Sequence, residues 1–391
     1  MTTRRTICVL TGSRADYGLL YWLLKTLAAD PGVTLQLIVS GSHLNEAFGC
    51  TQRLIAADGF VPAATVDIIL EPDTRLAVAT SLGLATTRFA EELARLRPYI
   101  AVVLGDRYEA LAFAQAAMML GVPLAHIHGG ERTEGVIDEA VRHAISKMAH
   151  LHFTTAEPYR QRVIQLGEEP TRIFTVGAPG LDNVARLMLP SRDGLTSALG
   201  VSLVRPFFLV TYHPETLDRA TPARAITALC DALDRFPELD VIVTKANADA
   251  YGRLINERFA SYSLNQPERV RVFDSLGQAN FLAAIREAAA VVGNSSSGLI
   301  EAPAIGTPTV NIGDRQRGRL RAPSVIDCAT ETATITAALA QAMSPAFRAQ
   351  AMRRESPYGG PGAAAKMAEI LTTVPPTNLL VKRFYDLPIA C

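Results

Sequence analysis

Short apolar, β-branched runs alternate with longer stretches in which apolar residues recur at helical spacing, and this rhythm predicts βαβ units with parallel sheets. Strands are predicted at Ile7–Leu10, Leu35–Val39, Ile100–Leu104, Leu124–Ile127, Leu151–Thr154 and Ile173–Val176, with helices at Leu19–Ala29, Arg75–Leu96, Tyr108–Leu120 and Ala140–Ala149 between them. After Gly177 the segment APGLDNVARLMLPSRDGLTSALGVSLVRP, rich in Pro, Gly and Ser, interrupts the alternation. A second series follows, with strands at Phe207–Tyr212, Val241–Thr244, Val270–Phe273, Ala289–Val292 and Thr309–Ile312 and helices at Ala225–Phe236, Ala279–Ala288 and Thr332–Met343. The pattern predicts an α/β protein of two Rossmann-like, doubly wound domains, residues 1–180 and 191–372, with a tail at 373–391. Ligands of such folds sit beyond the carboxyl ends of the strands, so a cleft between the two sets of strand ends is expected, with a hinge near Pro179 to Pro190.

Length supports the two-domain reading, since 391 residues exceed what one hydrophobic core comfortably serves. Lysine plus arginine (38) equals aspartate plus glutamate (38), so no overall field attracts nucleic acid or an anionic membrane, and any anion site must be local. The five cysteines, Cys8, Cys50, Cys230, Cys328 and Cys391, are scattered and never spaced CxxC, which fits a reducing compartment. No apolar stretch approaches the ~20 residues of a spanning helix, and no leader pattern opens the chain, so a cytoplasmic protein is expected.

Candidate chemistry concentrates in two places. In Leu104–His143, Asp106, Glu109, Glu131, Glu134, Asp138 and Glu139 stand beside His126, His128 and His143 around glycine turns that follow predicted strands. Crowded carboxylates push one another's pKa values apart, so the set offers an acid and a base for proton transfer. Asp106 alone could be a helix cap, and Arg107 could pair with it or reach a diphosphate. In Val291–Gly313, a predicted strand turns through Gly293 and Asn294 into Ser295, Ser296, Ser297 and Gly298, which are expected to open a helix. Backbone N–H groups and hydroxyls there would cradle an anion such as a diphosphate, with Glu301 placed to accept from ribose hydroxyls.

Other signals are weaker alone. Arg14, in the turn TGSRADYG, suits a phosphate, but the turn is not GxGxxG and no acidic residue follows the second strand, so no nicotinamide is expected. His213, held extended by Pro214 in TYHPET, could bond a phosphate oxygen or move a proton. Five of the seven histidines fall between His126 and His152, and His126 and His128 are expected to share a face at a strand end. HExxH is absent and the acidic residues have no ligand spacing, so no metal is expected.

Through TGSRADYG, GSHL, LGDRYEALA, HIHGGERTEG, IDEAVRHAISKMAH, TYHPET, GNSSSGLIEAP and NIGDRQRGR, the chain resembles the UDP-N-acetylglucosamine 2-epimerase family, specifically the hydrolysing branch that supplies sugars for sialic-acid-like nonulosonates. The resemblance implies a GT-B-like architecture whose C-terminal segment returns to the first domain. It implies elimination of UDP from a 2-acetamido sugar nucleotide to a glycal, then water addition at C1 and protonation at C2, with no cofactor. It assigns proton transfer to Asp106 and Asp138, and nucleotide contacts to Arg14, Arg107, His213, Ser295, Ser296, Ser297, Glu301 and Arg315, with Asn247 a looser candidate. Where some relatives carry glutamate in the HIxGG loop, this chain has His128, which leaves the base open between His128 and Glu131. Relatives often form dimers or tetramers, so a homo-oligomer is expected. A retaining glycosyltransferase on the same fold and a non-catalytic nucleotide-sugar sensor are the competing readings, and whether the substrate is UDP-N-acetylglucosamine or a UDP-2,4-diacetamido-2,4,6-trideoxyhexose stays open.

Overall fold

The apolar runs become strands in the computed structural model, which describes residues 4–46, 49–69, 74–215, 222–246, 252–375 and 379–387. The chain divides into two units, the first made of Met1–Glu131, Asp138–Asp182 and Gly359–Cys391, the second of Arg132–Ile137 and Asn183–Tyr358. In the first, β1 (Arg5–Thr11), β2 (Val33–Ser40), β3 (Ala64–Val66), β4 (Ile100–Leu104), β5 (Leu124–Ile127), β6 (Leu151–Thr154) and β7 (Ile173–Thr175) form one sheet in the order β3-β2-β1-β4-β5-β6-β7. Every pairing is parallel. The order reverses direction between β1 and β4, and the carboxyl ends of these strands are where a doubly wound sheet leaves room for a ligand.

Continuous apolar strands are explained by burial on both faces. Ile7, Val9, Ile100 and Val102 contribute to one core layer, where Leu20, Leu23 and Leu27 of the helix Arg14–Ala29 pack; Cys8, Ala101 and Val103 contribute to the other. Ala110, Ala112, Ala114, Ala116 and Ala117 of the helix Tyr108–Met119 are buried in that second layer. The helix Ala363–Thr373 also belongs to the first unit, with Ala363, Ala364, Met367 and Leu371 in the layer of Leu20 and Leu24. The sequence reading had ended the second domain at 372, but residues 359–372 pack here because their apolar face has its partners on the helix Arg14–Ala29.

The second unit repeats the plan with β8 (Phe207–Thr211), β9 (Asp240–Thr244), β10 (Val270–Phe273), β11 (Ala290–Gly293), β12 (Thr309–Ile312) and β13 (Val325–Cys328), in the order β10-β9-β8-β11-β12-β13. All pairs are again parallel, and the direction reverses between β8 and β11. Both units are Rossmann-like and doubly wound, as the alternation predicted. Among the described residues, no helix is long and apolar enough to cross a membrane.

Four buried histidines belong to this framework. His43 lies between the hydroxyls of Thr11 (2.9 Å) and Thr51 (2.7 Å). His126 faces Gly105 O at 2.7 Å through Nε2 and Ser146 Oγ at 3.0 Å through Nδ1; a carbonyl can only accept, so the proton sits on Nε2. His150 Nδ1 accepts from Leu124 N at 3.1 Å, and His152 Nε2 meets Glu168 Oε2 at 3.2 Å. Burial pushes His43 and His150 down to about 4 and His126 to about 3, and lowers His152 as well.

Two outcomes follow from these contacts. Asp182, 1% exposed, accepts from Gly362 N and from Ala364 N (2.8 Å), capping the helix Ala363–Thr373 where Gly362 has no side chain to do so. Asp182→Ala should lower stability by about 2 kcal/mol in urea titration, and an unchanged midpoint would contradict the cap. His43, His126 and His150 are neutral in the folded state well below 6.5, and His152 is shifted in the same direction, whereas the unfolded chain takes up protons near 6.5, so stability should fall as pH drops from about 6.5 toward 4. Asp16, raised to about 6, works in the opposite sense as a single group. Urea midpoints at pH 7 and pH 5 test this, the lower midpoint being expected at pH 5.

Candidate active site

The acid/base residues gather at the carboxyl ends of β1, β4 and β5. Asp106 follows β4 by two residues and does not cap the next helix, whose N-cap is Arg107 with no side-chain cap bond. Its partner is Arg142, which donates to Oδ2 through Nε at 2.8 Å and also through Nη2. Arg142 lies on the helix Asp138–Met148, whose inward face is Arg142, Ile145 and Ser146, residues three and four apart as helical geometry requires. The guanidinium has no exposed surface; it also donates through Nη1 to Glu131 O at 2.8 Å and to Glu139 Oε2 at 2.7 Å. One arginine thus binds the end of β4, the loop after β5 and its own helix. The two-point contact fixes the orientation of the Asp106 carboxyl at the strand end.

Arg107, left open by the sequence between Asp106 and a diphosphate, donates to Glu109, with Nε to Oε2 at 3.3 Å and Nη2 to Oε1 at 3.4 Å. Glu109 is 2% exposed and backs onto the glycine turns at Gly12 and Gly41. Asp16, in the helix that opens at Arg14, belongs to this group: burial and Glu109 raise its carboxyl to about 6 while Arg107 works against the rise. Asp138 opens the helix Asp138–Met148, half-buried, with Glu139 beside it in the first turn.

His128 and His126 do not share a face. β5 ends at Ile127, and His128 takes a left-handed conformation, φ +69°, at a cost of about 1–2 kcal/mol for a residue with a Cβ. That turn sends His126 toward Gly105 and Ser146 and His128 toward Glu131, whose Oε1 lies 2.8 Å from Nδ1. Gly130 makes the return possible: φ is +78°, and a Cβ there would stand 2.3 Å from Tyr159 O. No group of three or more His, Cys, Asp or Glu able to hold a metal occurs among the described residues.

In the second unit, the side chain of Asn294 holds the end of β8 against the end of β11. Its Oδ1 accepts from His213 N at 2.7 Å and its Nδ2 donates to His213 O at 2.8 Å. Its main-chain oxygen accepts from Arg315 Nη1 at 3.0 Å and Gln316 Nε2 at 2.8 Å, which draws in the loop after β12. His213, the serine turn and Arg315 are thereby brought to one edge of the sheet. The serines do not open a long helix: Ser296–Gly298 is a three-residue 3₁₀ turn capped by Ser295, and Glu301–Ile305 that follows is cut short at Gly306. Pro303 and Gly306 explain the interruption. The turn Ser295, Ser296, Ser297 and Gly298 therefore offers hydroxyls and local N–H groups, with little helix dipole behind them. Glu301 is 5% exposed in the first turn of the short helix. Asn247 lies outside the described residues.

Arg142, Thr155 and Gln316 were not singled out from the sequence, in which Glu109 and Glu139 belong to the acidic stretch and Asp16 and Asn294 only to glycine turns. For Arg142 a signal existed, since Asp138 and Arg142 stand four apart on one helix; for Asn294 it was its place directly after a buried strand.

A family model described as UDP-N-acetylglucosamine 2-epimerase matches residues 25–372. A Campylobacter jejuni protein named GDP/UDP-N,N'-diacetylbacillosamine 2-epimerase (hydrolyzing) is 39% identical over 325 residues, 83% of this chain and 84% of that protein. Polysialic acid biosynthesis protein P7 of Escherichia coli is 37% identical over 384 residues, 98% and 97% of the two chains. The crystal structure of UDP-GlcNAc 2-epimerase from Neisseria meningitidis bound to UDP-GlcNAc has the same fold, with a TM-score of 0.79 at 16% identity over 94% of this chain and 99% of that one. The chain belongs to the UDP-N-acetylglucosamine 2-epimerase family.

Proposed function

We propose that the protein is a hydrolysing UDP-sugar 2-epimerase, which converts a UDP-2-acetamido sugar to UDP and the free manno-configured sugar for nonulosonate biosynthesis. The observation that carries this reading is the ion pair of Asp106 with the buried Arg142, next to the His128–Glu131 pair at the neighbouring strand end. A glycosyltransferase that leaves C2 untouched has no use for this proton-transfer equipment. The names of the Campylobacter and Escherichia relatives support the hydrolysing branch, and the Neisseria structure's UDP-GlcNAc supports a UDP-sugar as ligand.

The C2 proton has no adjacent carbonyl to acidify it, so departure of UDP must lead. We assign the leaving diphosphate to Arg315, Ser295, Ser296, Ser297 and His213, whose positive charge and donors would stabilise the charge that develops on it. Arg14 and Arg107 are further candidates for phosphate, and Glu301 for ribose. As the C1–O bond breaks, a base takes the C2 proton and the C2–H electron pair becomes the C1–C2 double bond of the glycal. Water then adds at C1 while an acid protonates C2 from the opposite face. Asp106, His128 and Asp138 are the groups we assign to these transfers, and no metal or nicotinamide is needed for any of them.

In deuterated water, incubation with UDP-N-acetylglucosamine and with a UDP-2,4-diacetamido-2,4,6-trideoxyhexose should release UDP from one of them, with deuterium at C2 of the product. A product that keeps its C2 proton would exclude the mechanism and favour a transferase. Asp106→Asn should lower kcat by roughly 10²–10⁴-fold while UDP affinity, read by calorimetry, is retained; parallel loss of both would make Asp106 a binding or folding residue.

A further inference from the structure

We infer that Glu131 and Thr155 are a positioning pair that presents His128 Nε2 as the proton acceptor; the inference rests on the epimerase reading and assigns the base which the sequence left open between His128 and Glu131. Glu131 has no exposed surface, and two donors converge on its Oε1: His128 Nδ1 at 2.8 Å and Thr155 Oγ1 at 3.0 Å. An ionised carboxylate can only accept, so with Glu131 charged the ring proton sits on Nδ1 and the lone pair on Nε2. Nε2 is itself buried and has no hydrogen-bond partner among the described residues. An open acceptor on a ring held at its other nitrogen has a lone pair available for a ligand's proton.

The backbone supports this arrangement from both sides. His128 N donates to Phe153 O at 3.0 Å, which anchors the residue to the next strand, and Glu131 O accepts from Arg142, the arginine that holds Asp106. Gly129 and Gly130 let the loop curl tightly enough for a carboxylate three residues on to reach back to the ring. The left-handed backbone at His128 is the strained element of this loop, and it is what points the ring at Glu131. Glu131 is enclosed and its Oε1 is turned to His128 and Thr155, so in this relay it acts through His128.

In the elimination, the Nε2 lone pair takes the C2 proton, the C2–H pair forms the C1–C2 double bond and the C1–O pair leaves with UDP. The imidazolium that results is stabilised by the Glu131 carboxylate at Nδ1, and its Nε2 proton passes to water before the next turnover. An amide in place of the carboxylate would donate to Nδ1 and move the ring proton to Nε2, the wrong tautomer for a base.

The test uses the full-length protein in deuterated water, with kcat, KM, C2 labelling and UDP affinity measured for wild type and for Glu131→Gln, Thr155→Val and Thr155→Ser. Glu131→Gln should lower kcat by roughly 10³–10⁴-fold, with KM and UDP affinity within about twofold of wild type. Thr155→Val should lower kcat on the order of tenfold, and Thr155→Ser should recover most of that loss. A Glu131→Gln enzyme within tenfold of wild type, or one whose UDP affinity falls in step with kcat, overturns the relay. If that variant does not fold by circular dichroism, the Thr155 pair decides: a valine variant as fast as wild type, or a serine variant as slow as the valine, overturns it. Wild type that releases UDP without labelling C2 overturns the epimerase reading itself, whereas labelled wild type with an active Glu131→Gln overturns only the relay.

Discussion

A guanidinium with no exposed surface must find all its partners inside the protein, because an unpaired charge there costs several kcal/mol. Arg142 finds them on Asp106, Glu139 and the carbonyl of Glu131, and so ties the end of β4 and the loop after β5 to the helix that carries it. Removing any of these partners leaves the guanidinium short of a counter-charge or an acceptor. The arrangement of the acid/base groups in the first unit is therefore set by one desolvated cation more than by the loops that carry them.

Around that centre the histidines divide by environment. His43, His126, His150 and His152 are held below their ordinary pKa by burial and satisfy carbonyls, hydroxyls, an amide or Glu168, which makes them struts of the fold. Glu168 shows the complementary case: burial raises it, but His152, Lys147 and Lys382 outweigh that and hold it near 2. His128 differs from all four in its left-handed backbone, which follows directly on the end of β5. Equal chemistry in the side chain meets unequal surroundings through where the strand ends.

In the second unit a neutral residue has the organising role. Asn294 carries no charge, yet its amide closes both ways on the backbone of His213, and its carbonyl orients Arg315 and Gln316. Gly293 just before it must be glycine, since φ is +130° and a Cβ would stand 2.0 Å from Thr211 O. A short turn between two parallel strands thus gathers donors for an anion without a long helix behind them.

The alternation of buried runs and helical periodicities was enough, by itself, to determine two doubly wound units and most of their strands, because parallel strands buried on both faces must be continuously apolar. The strands it did not reveal, β3 and β13, are short edge strands whose half-exposed residues leave no such run. Motif content likewise brought Asp106, His128, Glu131, Asp138, His213, the serines and Arg315 into view, since each follows a strand or opens a turn. Only the tertiary structure decided who pairs with whom: Asp106 with Arg142, Arg107 with Glu109, Glu131 with Thr155, the helix Ala363–Thr373 with the first unit. Spacing along a chain reports which residues share an element, whereas the pairs Glu131–Thr155, Asp106–Arg142 and Asp182–Gly362 join residues 24, 36 and 180 positions apart, and are chosen by which charges and donors have lost their water.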